Sequence, residues 1–257
     1  MNWQAEALRE QLVALAPGLS VEVVPELAST NTTLLERARL GDTSPCLLVA
    51  ERQTAGRGRL GRPWAATPGR TLTFSLAWPA DWADWSGLSL AVGLIVAEAL
   101  DSSGTQLGIK WPNDLWLRQE DRKLGGILIE TLPVPGGNQR LAVIGIGLNV
   151  MPREADDSTP LATGYACVQE WQPQASVVSV LHQVAAPLVQ ALQHFGQSGF
   201  APYQQAFDDR DVLQGRKVQA GELEGTVLGV DRHGELLLQT SGGLSPITSG
   251  EVSIRPC

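Results

Sequence analysis

The chain has 257 residues, a formal net charge of −8 at pH 7 and a sequence pI near 4.9. This length allows one large domain and a small second one, and the content of 43% hydrophobic and 18% charged residues is typical of a globular protein. The acidic balance argues against a general nucleic-acid binder, and the three scattered cysteines argue against a disulfide framework or a zinc site.

The sequence predicts neither export nor membrane insertion. Residues 1–6 have neither the basic nor the apolar part of a signal peptide. The most apolar run, residues 88–100, is too short to span a bilayer and contains Glu98. We therefore expect a cytoplasmic protein without a membrane partner.

The first part of the chain alternates between predicted helices and strands. Apolar residues at helical spacing cover residues 3–16, and an apolar run predicts a strand at 21–24. Ser29, Thr30 and Asn31 precede a second predicted helix at 32–40, where hydroxyl and amide side chains cap free backbone N–H groups. Residues 46–50 predict the next strand.

A segment rich in glycine and arginine follows this strand, with the sequence QTAGRGRLGRPW at residues 53–64. Five arginines and no acidic residue lie between residues 52 and 80. Glycine lets the backbone approach a ligand closely, and the arginine side chain binds phosphate or carboxylate oxygens. The segment therefore predicts a binding site for a small anion.

The glycines of this segment also fit the G-x-G-x-x-G pattern of dinucleotide-binding domains. In those domains the pattern opens a helix, and an acidic residue follows about 20 positions later. Here Pro63 and Pro68 interrupt the chain, a strand is predicted at 71–78, and the next acidic residue is Asp81. We therefore do not expect a dinucleotide-binding domain.

The middle of the chain carries three further motifs at the ends of predicted strands. A helix is predicted at 86–101, then strands at 107–111, 115–117, 126–131 and 141–146, then helices at 176–195 and 202–208. The motifs are KWPND at 110–114, RKLGG at 122–126 and GIGLN at 145–149. Taken singly, each also fits a structural explanation, namely an Asn-Asp turn or a strand bulge at glycine.

Beyond residue 210 the pattern changes to short strands separated by glycine turns. Strands are predicted at 212–218, 223–230, 235–238 and 245–254, which is typical of a small β-barrel. We therefore predict a helical extension at 1–20, a catalytic domain at 21–211 and a C-terminal β domain at 212–257.

Together, and in this order, these motifs resemble those of biotin protein ligases, the biotin–[acetyl-CoA-carboxylase] ligases. The resemblance runs from about residue 20 to the C-terminus and is carried by STN at 29–31, the segment at 53–64 and the three later motifs. It implies an α+β fold with a mixed-sheet catalytic domain, helices packed on it, and a small C-terminal SH3-like β-barrel. It also implies an enzyme that uses ATP and Mg²⁺ to convert biotin to biotinyl-5′-AMP. The biotinyl group then passes to a lysine of the biotin carboxyl carrier protein of acetyl-CoA carboxylase.

The resemblance further implies roles for individual residues. The residues expected to bind biotin are Ser29, Thr30, Asn31, Gln53, Arg57, Gly58, Arg59, Lys123, Gly126 and Gly147. Those expected to bind ATP are Arg57, Arg59, Arg62, Trp64, Asn113 and Asn149. Catalytic roles fall on Arg57, Arg59, Lys123 and Asp114, and Asp114 is also the candidate metal ligand. Trp111 is expected beside the apolar part of biotin.

Two other functions remain open from the sequence. One is a lipoate- or octanoate-attaching enzyme of similar fold, and the other is a biotin-sensing regulator. About twenty residues precede the first core strand, which is too few for a helix-turn-helix domain, so we expect a monofunctional enzyme that does not bind DNA. The sequence leaves open whether the protein forms a homodimer.

Overall fold

A computed structural model describes residues 1–153 and 163–248, together with the backbone of residues 254–256. Within these residues, seven strands form one mixed sheet in the order β1-β2-β3-β7-β6-β5-β4, in which β1 and β2 are parallel and the other neighbours antiparallel. The strands are β1 (Ser20–Leu27), β2 (Cys46–Gln53), β3 (Thr71–Ala80), β4 (Leu107–Lys110), β5 (Asp114–Leu117), β6 (Arg122–Pro133) and β7 (Arg140–Asn149).

Helices cover both faces of this sheet. They are α1 (Ala5–Leu15), α2 (Thr30–Arg39), α3 (Leu88–Leu100), α4 (Val177–Ser198) and the short α5 (Gln204–Asp208). The main core lies between one face and the helices α1, α3 and α4, whereas α2 packs a smaller apolar cluster against the other face. Helix α3 is apolar on nearly all sides because it lies between the sheet and α4.

The C-terminal region forms a separate antiparallel sheet, which we call the C-terminal β unit. Its described strands are β8 (Lys217–Ala220), β9 (Leu223–Val230), β10 (Leu236–Thr240), β11 (Gly243–Ile247) and β12 (Ile254–Pro256), in the order β11-β10-β9-β8-β12. The predicted α+β class, a mixed sheet with helices plus a small β unit, is confirmed. The proposed divisions at residues 20 and 211 stay a prediction.

Two strand predictions in this unit are wrong. The strand predicted at 212–218 begins only at Lys217, because the side chain of Asp211 accepts a hydrogen bond from the backbone N–H of Leu213 at 2.8 Å and turns the chain. The single strand predicted at 245–254 is two strands, β11 and β12, and residues 249–253 lie outside the described part.

No helix in the described ranges is both long enough and apolar enough to cross a bilayer.

Candidate functional site

A cavity of about 1200 Å³ opens at the edge of the sheet where several strands end. The motifs that are far apart in sequence meet here, because β3, β7, β6 and β5 are neighbours in the sheet. Every residue predicted for the site borders this cavity: Ser29, Thr30, Asn31, Gln53, Arg57, Gly58, Arg59, Arg62, Trp64, Asn113, Asp114, Lys123, Gly126, Gly147 and Asn149.

Residues 56–64, which we call the cationic loop, fold back on themselves along one wall of the cavity. The backbone N–H of Gly58 donates to the carbonyl of Arg62 at 2.7 Å, and that of Trp64 to the carbonyl of Gly56 at 2.9 Å. A β-carbon added at Gly56 would lie 2.5 Å from the Trp64 carbonyl oxygen, so only glycine fits there. The loop contains a single 3₁₀ turn, which agrees with the absence of a dinucleotide-binding helix.

The two arginines predicted to be catalytic have different surroundings. Arg57 forms an ion pair with Glu130 at 3.1 Å. Arg59 is more buried, which lowers the pKa of its guanidinium group, and it donates to the Asn113 side-chain oxygen at 3.3 Å. Arg62 lies exposed near the tip of the loop. The cavity thus has positive charge at its rim and, at Arg59, in its interior.

Polar side chains at the start of α2 form a network at one end of the cavity. Ser29 caps the helix by accepting from the N–H of Thr32, and Thr30 donates its N–H and its hydroxyl to the Gln53 side-chain oxygen at 2.7 and 3.1 Å. Neutral donors and acceptors of this kind suit the polar, uncharged end of a ligand.

Asn31 has a mainly structural environment. It is buried, donates to the Leu128 carbonyl and the Glu130 carboxylate, and accepts from the Ser75 hydroxyl at 2.6 Å. Because Glu130 also pairs with Arg57, this network connects the start of α2 to the cationic loop. Asn31 is therefore linked to Arg57 through Glu130, and its direct contact with biotin stays a prediction.

Lys123 and Asp114 face each other on the floor of the cavity. The ammonium group of Lys123 donates to the Asp114 carboxylate at 2.7 Å and lies 5.9 Å from the centre of the Trp64 ring. Asp114 and Gly126 are partners across β5 and β6, and a β-carbon at Gly126 would approach both charged groups. Because glycine has no side chain, space remains beside the Lys123–Asp114 pair.

Trp64 forms a flat wall over β7. A β-carbon added at Gly147 would lie 2.5 Å from the Trp64 ring, so the ring rests directly on the backbone of this strand. Asn149, two residues further along β7, is buried and donates to the Lys123 carbonyl at 3.4 Å. An aromatic face next to amide groups is suited to a purine base.

The described residues do not form a complete metal site of their own. They contain no group of three histidine, cysteine, aspartate or glutamate side chains that could hold a metal ion. Asp114, the predicted metal ligand, is a single carboxylate that already pairs with Lys123. The role of Asp114 as a metal ligand therefore stays a prediction.

Trp111 lies beside the cavity, as expected, and is also held by the C-terminal β unit. Its side chain is 1% exposed, and its indole N–H donates to the carbonyl of Gly234 in the C-terminal β unit at 3.0 Å. Trp111 thus borders the cavity, while its indole N–H is hydrogen-bonded to the C-terminal β unit.

Sequence reasoning missed several residues around the cavity. Lys110 borders it with its ammonium 4.4 Å from the centre of the Trp116 ring, and burial lowers its pKa. Arg216 of the C-terminal β unit also borders it and pairs with Asp121 at 2.7 Å. The position of Lys110 inside KWPND was a usable signal, whereas nothing near Arg216 in the sequence indicates this contact.

The fold and the cavity define a ligase of the biotin and lipoate class. Residues 23–149 match the Biotin/lipoate A/B protein ligase family, and residues 216–255 match the Biotin protein ligase C terminal domain, which bears out the SH3-like prediction. The chain is 36% identical to the Bifunctional ligase/repressor BirA of Escherichia coli (strain K12), over 96% of this chain and 77% of that protein. The chain belongs to the biotin protein ligase family.

A second relative by sequence and a solved structure support the same family. The Biotin--[acetyl-CoA-carboxylase] ligase of Mycobacterium tuberculosis is 32% identical over 96% of this chain and 93% of that protein. The structure is similar to that of the biotin protein ligase from Aquifex aeolicus in complex with biotin and ATP, with a TM-score of 0.78, 29% identity, and coverage of 93% of this chain and 99% of that one. The predicted enzyme class is therefore confirmed.

Proposed function

We propose that this chain activates biotin with ATP and transfers the biotinyl group to a lysine of a biotin carboxyl carrier protein. The observation that carries this is the convergence of the cationic loop, Lys123 and the Thr30–Gln53 network on one cavity. A carboxylate and a triphosphate repel each other, so a site that joins them needs cations on both sides of the reacting atoms.

In the first step, a biotin carboxylate oxygen attacks the α-phosphorus of ATP and pyrophosphate leaves. Arg57, Gly58 and Arg59 lie where they can cover the carboxylate and the α-phosphate. Arg62 at the exposed tip suits the departing pyrophosphate. Lys123 stabilises the negative charge that develops on the phosphate. Mg²⁺ enters as the counter-ion that ATP carries.

The two ends of the adenylate have different neighbours. The ureido ring of biotin needs neutral hydrogen-bond partners, which Ser29, Thr30 and Gln53 supply. The adenine stacks on Trp64. Asn113 and Asn149 contact the adenylate through their amide groups, which places the acyl-phosphate bond near Lys123.

In the second step, the amine of a carrier lysine attacks the acyl carbon and AMP leaves. The amine must lose a proton, and Asp114 is the carboxylate on the floor of the cavity. Its hydrogen bond to Lys123 loosens when Lys123 turns to the phosphate, and the released carboxylate then accepts the proton.

Biotin-dependent exchange of pyrophosphate into ATP tests the first step. Arg59→Ala and Lys123→Ala should each lower the exchange rate about a hundredfold or more, because each removes a positive group that contacts the developing charge. The matched controls are Arg52→Ala, which removes an exposed arginine paired with Glu26, and Lys217→Ala, which removes an exposed lysine in β8.

The outcome separates the alternatives. Exchange at the wild-type rate in Arg59→Ala and Lys123→Ala contradicts the assigned roles, and loss in the two controls indicates a general effect of charge. Exchange that requires lipoate or octanoate instead of biotin contradicts the biotin assignment. Transfer of labelled biotin to a purified carrier domain tests the second step.

A further inference from the structure

Lys110 brings into the cavity an amine that the proposed mechanism does not use. It is half-buried, borders the cavity, and has its ammonium 4.4 Å from the centre of the Trp116 ring. The ammonium of Lys123 is paired with Asp114 at 2.7 Å, whereas that of Lys110 makes no ion pair or hydrogen bond with any described residue. Burial lowers the pKa of Lys110, which increases the fraction of uncharged, nucleophilic amine.

Strand pairing places this amine on the floor of the cavity. Lys110 is directly opposite Asp114 in the hairpin of β4 and β5. Trp116, whose ring the ammonium of Lys110 contacts, is opposite Lys123 on the other side of β5. Directly opposed residues share one face of a sheet, with β-carbons about 5 Å apart. The amine therefore lies beside the Lys123–Asp114 pair, where the proposed mechanism puts the acyl-phosphate bond.

The composition of the chain offers few other amines to an activated acyl group. Three of the 19 lysine and arginine residues are lysine, at positions 110, 123 and 217. A guanidinium group stays protonated in proteins and is therefore a poor nucleophile. Lys217 is exposed in β8 and does not border the cavity. Lys123 is kept as an ammonium, first by Asp114 and then by the phosphate.

We propose that Lys110 is an internal acceptor, which takes the biotinyl group from the adenylate when no carrier protein is present. The Nζ atom of Lys110 attacks the acyl carbon, a C–N bond forms, and the bond between the acyl carbon and the phosphate oxygen breaks. AMP leaves with the electron pair of that bond, and its phosphate takes up the proton that the amine loses. The product is an amide on Lys110.

This inference rests on the proposed function, which supplies the adenylate. It adds a second activity, self-modification at one site, which the carrier protein suppresses because its own lysine consumes the adenylate. The modified chain should be inactive, since the tethered biotinyl group occupies the cavity and blocks the entry of free biotin. Without a carrier the enzyme should therefore inactivate itself slowly.

The experiment incubates the full chain with biotin and ATP in the absence of a carrier. Intact-mass measurement and peptide mapping follow the label, and pyrophosphate exchange follows the remaining activity. The wild type should gain the mass of one biotinyl group, on the peptide that contains Lys110, and should lose exchange to the same extent. A purified carrier domain in excess should prevent both changes.

Two matched variants locate the acceptor. Lys110→Arg keeps the positive charge and removes the nucleophile, so it should gain no label and should keep the exchange rate with which it started. Lys217→Arg makes the same replacement at an exposed lysine outside the cavity, and it should be labelled and inactivated like the wild type.

An added protein distinguishes attack inside the cavity from acylation by adenylate that has been released. Serum albumin has many exposed lysines and is too large to enter the cavity, so it consumes adenylate in solution only. Labelling of Lys110 should be unchanged by albumin. Its rate for each chain should also be independent of the enzyme concentration, because donor and acceptor belong to the same chain.

A wild-type enzyme that catalyses exchange but gains no label overturns the proposal. Label confined to Lys217 or the amino terminus, label that albumin abolishes, and full labelling of Lys110→Arg overturn it as well. If Lys110→Arg does not fold, as judged by circular dichroism, the peptide map of the wild type decides alone. Absence of exchange in the wild type overturns the proposed function itself, so the two failures are distinct.

Discussion

Replacing Asp211 with asparagine should change how the free energy of unfolding depends on pH. Asp211 lies between the two sheets and is 6% exposed. One carboxylate oxygen accepts from the Leu213 N–H, and the other, Oδ2, has no hydrogen-bond partner among the described residues. Burial raises the pKa of this carboxyl group from 3.8 to about 7. The folded protein therefore keeps the group protonated where the unfolded chain ionises it.

The direction and the size of the change in the free energy of unfolding with pH follow from this difference between the folded and unfolded pKa. Because the folded pKa is higher than the unfolded one, the unfolded state loses its proton first, and stability falls as pH rises from about 4 to about 7. At about 1.4 kcal/mol per pH unit, the loss between pH 5 and pH 8 is about 2–3 kcal/mol, because part of it has already occurred by pH 5. Asparagine does not titrate, so Asp211→Asn avoids this loss.

Urea denaturation of both proteins at pH 5, 6, 7 and 8 measures the effect. Asparagine can accept from Leu213 but places an unpartnered amide where Oδ2 lies, so the variant should be no more stable than the wild type at pH 5. The free energy of unfolding of the variant relative to the wild type should then rise by about 2–3 kcal/mol up to pH 8. All other titrating groups are shared and cancel in the comparison. Parallel pH dependences in the two proteins would refute the reasoning.

Three smaller changes test the cavity. Gly147→Ala places a β-carbon against the Trp64 ring and should raise KM for ATP, measured by pyrophosphate exchange; an unchanged KM would contradict stacking of the adenine on Trp64. Leu60→Gly should raise the thermal unfolding temperature, since Leu60 has a φ of +57° at a cost of about 1 kcal/mol that glycine avoids; an unchanged or lower temperature would contradict this. Glu130→Gln removes the carboxylate partner of Arg57, so trypsin should cut the cationic loop faster without ligands, and an unchanged cleavage rate would show that the pair does not hold the loop.

The sequence was most informative where a residue type has few structural uses. Proline at 63 and 68 excluded a helix after the cationic loop, and the structure has a 3₁₀ turn followed by β3. Glycine and polar residues at strand ends predicted ligand contacts without knowledge of strand order. The sheet order then brings those strand ends to one cavity.

Long-range partners could not be predicted from the sequence. The side-chain amide of Asn31 donates to Glu130, which is 99 residues away along the chain. The indole N–H of Trp111 donates to the carbonyl of Gly234, which is 123 residues away. The chemistry of such side chains is visible in the sequence, but the choice between a ligand and a distant protein partner depends on packing.

The cations of the cavity explain how an acidic protein can bind two anionic substrates. Arg57 pairs with Glu130, Lys123 with Asp114 and Arg216 with Asp121, so several of the positive groups are neutralised before any ligand arrives. A partly buried charge is costly unless it has a partner of opposite charge. A substrate phosphate that takes the place of the carboxylate keeps the cation paired. In the proposed mechanism this replacement of partners matters most at Lys123, because its move to the phosphate would free Asp114 once the acyl-phosphate bond has formed. Adenylate formation would then itself prepare the base that the incoming amine requires.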